Sequence, residues 1–497
     1  MNKFNLLSIS TILLLFAETN DTFLVNHAGA SINYRINSST TQIDNNITGS
    51  AILAPGEASK FINKLGVNNS KPFGPDNNIE DWAVDTNYLT GSANIAFILA
   101  GYDNVNNQLA GVISASHSIL YSDGSHGTIN GGSYQRIING DYGTINGGIL
   151  NLISGNSSTI VGGRSNSISS DYSTIVGGKF NEIGDKNSVL SGEKKCFIGG
   201  GTYNKISNGI EHSILAGTTN KIDFGSRGFI GGGESNQLLF SDYASILNGT
   251  SNSISGDEQT SSYEHTIMGG KHNKILFGSG GFIGGGNHNK LLSAHYSSIL
   301  SGVNNEISSN YSTSLGGSNN KNQGAYSLTF GVENEANKYY SSAIGYKAKA
   351  ETTGAHVEAS RTIDDIKGSI QSIRFSMGEK TNEDEWKYLS IIKGPYYAEI
   401  PENSAWFGKI YLLGMDIDTG KVSQFEIKVG CKRLLLNSAE LTIDNGNNIT
   451  IGSNELNVSL PEINIKDTGF LRIKVYGVPD YTIHWSASFY GTQTKIQ

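Results

Sequence analysis

Proline is scarce in this chain: its 497 residues include 7, against 62 glycines. Without proline runs or a Gly-X-Y period, the chain is neither a polyproline spacer nor collagen. Abundant Ser, Asn, Ile and Tyr argue instead for many short strands joined by tight turns. Cysteine is scarcer still. Cys196 and Cys431 stand far apart with no CxxC or Cys/His spacing, which excludes a disulfide framework and a zinc site and leaves two thiols expected to be buried and free. Lys and Arg form no run and the formal net charge is −8; without a clustered basic surface a nucleic-acid partner is excluded. Long apolar runs are missing too. Leu6 to Ala17, behind Lys3, falls short of the roughly 20 residues a bilayer span needs. It imitates a secretory signal, but Leu15-Phe16-Ala17 is a poor small-x-small cleavage site, so a retained docking or strand segment and a cleaved signal both stand as readings.

What the chain has in quantity is a repeat. STIVGGRSNSI at 158–168 returns as STIVGGKFNEI at 173–183. Aligned on the isoleucine of STIV, the phrase recurs at Ile129, Ile145, Ile160, Ile175, Val189, Ile198, Ile214, Ile230, Ile246, Ile267, Ile283, Ile299 and Ser314, mostly 14 to 16 residues apart. Six residues after these positions stand Asn151, Asn166, Asn181, Asn204, Asn220, Asn236, Asn252, Asn273, Asn289, Asn305 and Asn320, with Gln135 and Lys195 as exceptions. Eight residues after them comes an apolar residue, from Ile137 to Ile307, with Phe197 in the Val189 unit and Asn322 as the one failure. Two apolar positions per unit, separated by Gly-Gly and Asn, fit two short strands and two turns, one coil of a parallel β-solenoid. Glycine suits sharp bends and crowded backbones. Stacked asparagines can hydrogen-bond from rung to rung or tolerate a left-handed turn. So few inward apolar groups per coil leave a flank exposed, which predicts a homo-oligomer.

The fold class expected is therefore all-β: a β-roll or β-solenoid shaft, then an antiparallel β-sandwich. The divisions are 1–95 as an N-terminal docking segment and linker, 96–360 as the shaft and 361–497 as the sandwich. In the first, Thr22 to Val25 and Ser31 to Ile36 read as strands around the connection His27-Ala28-Gly29, and Glu57 to Leu65, closed by Gly66, reads as a short helix. In the last, glycine density drops and alternation marks strands at Ser369–Met377, Trp386–Ile392, Tyr396–Ile400, Trp406–Met415, Val422–Gly430, Ala439–Ile443, Leu456–Leu460, Leu471–Tyr476 and Tyr481–Tyr490.

SSAIGYKAKAETTG at 341–354 resembles the repeat of trimeric autotransporter adhesin heads, which implies three interlocked parallel β-rolls. The run from SILYSDGSHGTINGG to FIGGGNHNKL resembles the repeats of phage tail-fibre and virion structural proteins. ETNDTFLVNHAGASINYRI at 18–36 resembles a module near the N-terminus of phage tail proteins, which implies docking onto other tail or baseplate proteins. AWFGKIYLLGMDIDTGKVSQFEIKVGCKR and LRIKVYGVPDYTIHWSASF resemble the terminal domain of marine phage fibre proteins. These resemblances imply a virion-borne homotrimer that binds a host-surface glycan or protein. An autotransporter would end in a membrane β-barrel strand with a terminal aromatic, whereas this chain ends GTQTKIQ.

Candidate chemistry is thin. The FIGGG triplets at 197–201, 229–233 and 282–286 lack the GK[ST] that opens a phosphate-binding helix. His212 and His265 share one repeat position, and His272 and His288 another, without the carboxylate partners of a metal layer. Glycan cleavage needs two carboxylates about 5 to 10 Å apart. Asp171, Asp185, Asp242, Asp257, Glu258 and Glu264 fall at loops but form no recurring pair. No catalytic residue, cofactor or metal is expected. Glycan binding needs exposed ring faces beside polar groups, and Trp386, Tyr396, Tyr397 and Trp406 are the candidates; Trp485, alternating with His484, is expected to point inward. The leading function is tail-fibre adhesion at the virion. The alternatives are a tailspike polysaccharide depolymerase and a secreted or cell-surface bacterial trimeric adhesin.

Overall fold

The computed structural model describes residues 22–27, 30–37, 40–43, 52–53, 61–64, 86–89, 97–100, 105–109, 112–115, 117–184, 194–256, 262–382, 384–391, 397–434, 439–442, 449–466 and 469–495. It is all-β, with no helix among these residues. The chain divides into two compact units, Met1–Tyr203 and Asn204–Gln497.

In the first unit Thr22–His27 pairs antiparallel with Ala30–Asn37, which pairs with Thr40–Ile43, so the hairpin around residues 28–29 forms as expected. The helix expected at Glu57 to Leu65 does not. Phe61–Lys64 is a strand antiparallel to Thr86–Leu89, because pairing along a sheet edge outweighs a local glycine stop signal. From Tyr88, paired with Val105, parallel pairing takes over, and the solenoid runs on through Ile129, Ile145, Ile160, Ile175 and Ile198, each in a two-residue strand stacked on the next.

That last step corrects the sequence register. Ile175 pairs directly with Ile198, and Phe197 precedes Ile198 in the same strand; Val189 lies outside the described residues. The spurious rung explains why Lys195 broke the asparagine column. Lys195 has a left-handed backbone, φ 48°, and serves the turn before Cys196.

The second unit repeats the design from Ile214 to Ile299 and carries it further than the apolar register showed. Ser314, Thr329, Ala343 and Val357 continue one column, and Asn322, Ala336 and Ala350 the other. Asn322, the apparent failure, is fully buried, and its side chain accepts from Thr329 Oγ1 at 2.6 Å and donates to Thr313 O at 3.1 Å. A polar core is tolerated there because its atoms have partners.

The asparagine column is a buried hydrogen-bond device. Asn166 N donates to Asn151 Oδ1 at 3.0 Å, while Asn166 Nδ2 donates to Gly162 O and Gly178 O at 3.0 and 3.2 Å. The same three bonds recur at Asn236 and Asn273, and Asn334 extends the column. Gln135 stands in for asparagine, its Oε1 accepting from Asn151 N at 3.1 Å. The left-handed residue is not the asparagine but the one before it, such as Phe180 at φ 55° and Tyr203 at φ 55°. The two glycines of each pair differ. Gly177 faces open space, whereas Gly178 has φ +88° and a Cβ there would overlap the carbonyl of Gly201.

His356–Ala359 ends the parallel sheet of the second unit and turns it antiparallel. From it the sheet continues through Ile370–Thr381, Ile483–Lys495, Ser404–Asp416, Val422–Arg433 and then Ala439–Thr442 and Ile449–Asn454. A second sheet centres on Phe470–Tyr476, flanked by Trp386–Tyr388, Ala398–Glu399 and Glu462–Lys466. Their inner faces share one core, with Phe375, Trp406, Phe425, Ile473 and Phe489 among its members, which is the expected sandwich. Leu456–Leu460 is not a strand. Leu456 and Val458 do plug the core, but Asn457 between them has φ 51°, and Asn454 ties down the main chain of Val458 at N and O.

Candidate functional site

A residue that adopts the left-handed conformation at a solenoid corner throws its side chain outward, and identical corners stack those side chains at the rung spacing. In the second unit one corner carries Tyr296, Tyr311, Tyr326 and Tyr340, with φ between 50° and 58°. Their ring centroids lie 5.5, 4.8 and 4.8 Å apart with nearly parallel planes. Each ring is about half exposed. The recurrence of Tyr three residues before each inward position was the signal for this ladder, and the sequence reading did not use it.

The ladder ends at a cleft of about 530 Å³ lined by Tyr340, Gly354, His356, Arg374, Phe375, Ser376, Ile391 and Tyr490. Sheet register assembles its charged edge. His356 lies directly across from Arg374, and Arg374 directly across from Tyr490, so the three share one face of three neighbouring strands. His356 Nδ1 hydrogen-bonds Ser342 Oγ. Burial, followed by the charge of Arg374, holds its pKa below the ordinary histidine value, so at neutral pH the ring is uncharged. Arg374 is exposed and has no ion pair among the described residues. Tyr490 meets Tyr411 edge-on at 5.9 Å, and Phe407, 72% exposed, lies on the same outer face.

The four sequence-predicted ring residues fare differently. Trp406 is 1% exposed, sandwiched with Phe375 and Phe489, its Nε1 donating to Gln493 Oε1 at 3.1 Å. It is a core residue, and its neighbour Phe407 takes the outward position. Trp386 lies in the second sheet and Tyr397 immediately before its strand Ala398–Glu399; Lys474 Nζ sits 4.6 Å from the Trp386 ring and Arg472 sits 4.7 Å from Tyr397. Those cations already occupy ring faces. Tyr396 lies outside the described residues. Trp485 is buried and His484 exposed, as alternation required.

The histidine pairs divide likewise. His212 and His265 are fully buried in a column otherwise held by Ser, Gly, Ala and Cys196, while the His272 and His288 rings meet at 4.7 Å on a corner, tilted by 36°. Asp171 and Asp242 tie corners together, accepting from Asn156 N at 2.7 Å and Ser226 Oγ at 2.8 Å. Asp185, Asp257 and Glu258 lie outside the described residues. Cys196 and Cys431 are buried and outside any disulfide.

A second surface runs along the solenoid. Leu215, Leu247, Met268, Leu300, Leu315 and Phe330 each follow an inward residue and are 42 to 49% exposed. At the FIGGG rungs Phe229 and Phe282 take this role from the preceding position, each ring edge coming 3.4 Å from where a Cβ on Gly231 or Gly284 would stand. The triplet is thus a packing substitution, aromatic plus glycine in place of small plus leucine.

No protein-family model matches the chain, and no curated protein matches it. Among solved structures, the crystal structure of the Acinetobacter baumannii phage AM24 tailspike protein aligns over 95% of this chain and 91% of its own, at 9% identity and a TM-score of 0.16. That likeness is too loose to carry over any residue.

Proposed function

We propose that this chain is the receptor-binding protein of a phage tail fibre, a homotrimer that attaches the virion to a cell-surface glycan. The observation that carries the reading is the set of exposed rings at an open cleft: Tyr490, Tyr411 and Phe407, held by strands that cannot shift without breaking the sheet, and Tyr340, held by its solenoid corner. Sugars bury their apolar faces on such rings. The apolar stripe from Leu215 to Phe330 supports the trimer, because a continuous exposed strip of this kind marks an interface. The resemblances of the repeat, of residues 18–36 and of the C-terminal strands to phage tail proteins support the virion setting, with the N-terminal hairpin as the part that docks on other tail or baseplate proteins. The mechanism is adhesion: three weak sites on one particle gain avidity from high effective concentration, without bond cleavage.

The test is binding of labelled full-length chain to bacterial cells, with soluble surface polysaccharide as competitor and antibody labelling of phage particles. Saturable binding lost to competitor, with label on the tail, is the expected result. Reducing ends released from the polysaccharide would replace adhesion with depolymerisation. A mature protein lacking about the first 17 to 20 residues would replace the virion with a secreted adhesin.

A further inference from the structure

The tyrosine ladder stops one rung before the corner it belongs to does. Tyr311 N, Tyr326 N and Tyr340 N each donate to the carbonyl before the preceding corner residue, at 2.8, 3.0 and 2.9 Å, and Gly354 N makes the same bond to Tyr339 O at 2.9 Å. Gly354 also keeps the left-handed backbone, φ +69°. It is the fifth member of the column with the ring removed. At the other end the ladder is closed, since the ring of Tyr296 lies over Gly280. Inside the stack both faces of Tyr311 and Tyr326 are covered by neighbours. Tyr340 has Tyr326 on one face and the cleft on the other. A Cβ on Gly354 would overlap Ile391 Cγ2, so the Ile391 side chain fills the root of the missing ring and walls the cleft beyond it, while Arg374 and His356 line the cleft's edge.

We propose that this cleft is a subsite for a carboxylated pyranose, a uronate or sialate ring that packs against Tyr340 beside Ile391. Resting on the adhesion reading, the proposal gives that site its ligand class. A sugar ring stacks on a tyrosine face through its axial C–H groups. The unpaired guanidinium of Arg374 offers two parallel N–H groups to a carboxylate, the geometry for which arginine is suited. Lys409, across from Tyr490 on its other side, is already paired with Glu426 at 2.6 Å, and Glu358 faces Ser372 rather than Arg374. Among the described residues that line the cleft, the positive charge left unpaired is therefore that of Arg374. Tyr490 and Ser376 supply hydroxyls for the remaining sugar oxygens.

The experiment titrates the full-length chain with oligosaccharides ending in glucuronate, galacturonate or N-acetylneuraminate, each against its neutral counterpart, at low and at physiological salt. At least one acidic sugar binds about ten-fold more tightly than its neutral partner, with the preference weakened by salt. Arg374→Gln, an exposed position, removes that preference without moving the thermal midpoint; Tyr340→Ala weakens acidic and neutral sugars together. Equal binding of every acidic and neutral pair, or a preference that survives Arg374→Gln, overturns the subsite. Loss of the subsite while the chain still adheres to cells leaves the adhesion reading standing; absence of any cell binding removes both.

Discussion

The backbone N–H of Asn166 donates to the side-chain oxygen of Asn151, 3.0 Å away on the neighbouring rung. Both residues are fully buried, so the side chain of one rung satisfies the main chain of the next. Asn166→Ala would strand the N–H of Asn181 and the carbonyl of Gly162, while Gly178 O keeps the N–H of Arg164. The expected loss is about 3 kcal/mol, the combined cost of unpaired buried groups. Asn166→Gln should cost less, because Gln135 already accepts from Asn151 N while its own Nε2 has no partner. Urea denaturation of the three proteins gives the order, and equal midpoints would show that the column contributes nothing.

Gly177 and Gly178 are adjacent and identical in sequence terms, yet alanine should separate them. Gly178→Ala places a Cβ against the Gly201 carbonyl in a left-handed backbone, while Gly177→Ala points into solvent. The expected cost is about 3 kcal/mol or more for the first and within about 1 kcal/mol for the second. Thermal unfolding of the pair checks this, and a tolerated Gly178→Ala would contradict the stacking of consecutive rungs.

His212 and His265 make the solenoid sensitive to acid. Burial lowers each pKa from 6.5 to about 4, outweighing the nearby Asp242 and Asp223 in the case of His212; for His265 the His295 ring adds to the lowering. Each Nδ1 accepts a main-chain N–H, from Gly228 at 2.9 Å and Gly281 at 2.8 Å, and neither Nε2 has a partner. The unfolded chain binds these protons first, so stability is intact above pH 6.5 and falls as pH drops towards about 4. The loss is on the order of 3 kcal/mol per histidine. Urea midpoints measured between pH 7 and 4 should show a slope that flattens in the His212→Asn, His265→Asn double variant, where the amide Oδ1 takes the place of Nδ1 and keeps the main-chain bond. An unchanged slope would place the acid sensitivity elsewhere.

Much of the fold was legible because its constraints repeat. The inward isoleucines and the asparagine column recur at fixed offsets, and one mistaken rung at Val189 left a visible trace in Lys195. The site was less legible, for two physical reasons. Corner residues such as Tyr311 face solvent, so their identity varies among Ser, Glu, Arg and Tyr from rung to rung and no core constraint announces them. In the strand Ser404–Asp416, Trp406 and Phe407 are adjacent aromatics, and which of them points inward is set by register with Gln493 and Thr492 on the partner strand, a long-range fact absent from local alternation.

The stripe of Leu247, Met268 and Leu300 gives the last prediction. These side chains stand on successive rungs or one rung apart, about half exposed, with no strand over them among the described residues. If the stripe is where copies of the chain meet, the protein in solution has three times the chain mass by light scattering. Replacing all three with glutamate puts like charges at the contact, where desolvating them is unfavourable. The triple variant should run as a monomer, with its far-UV spectrum retained because the substituted positions face outward. A wild-type monomer would remove the trimer, and with it the avidity on which adhesion through weak sites depends; a variant that stays trimeric would move the interface to another face.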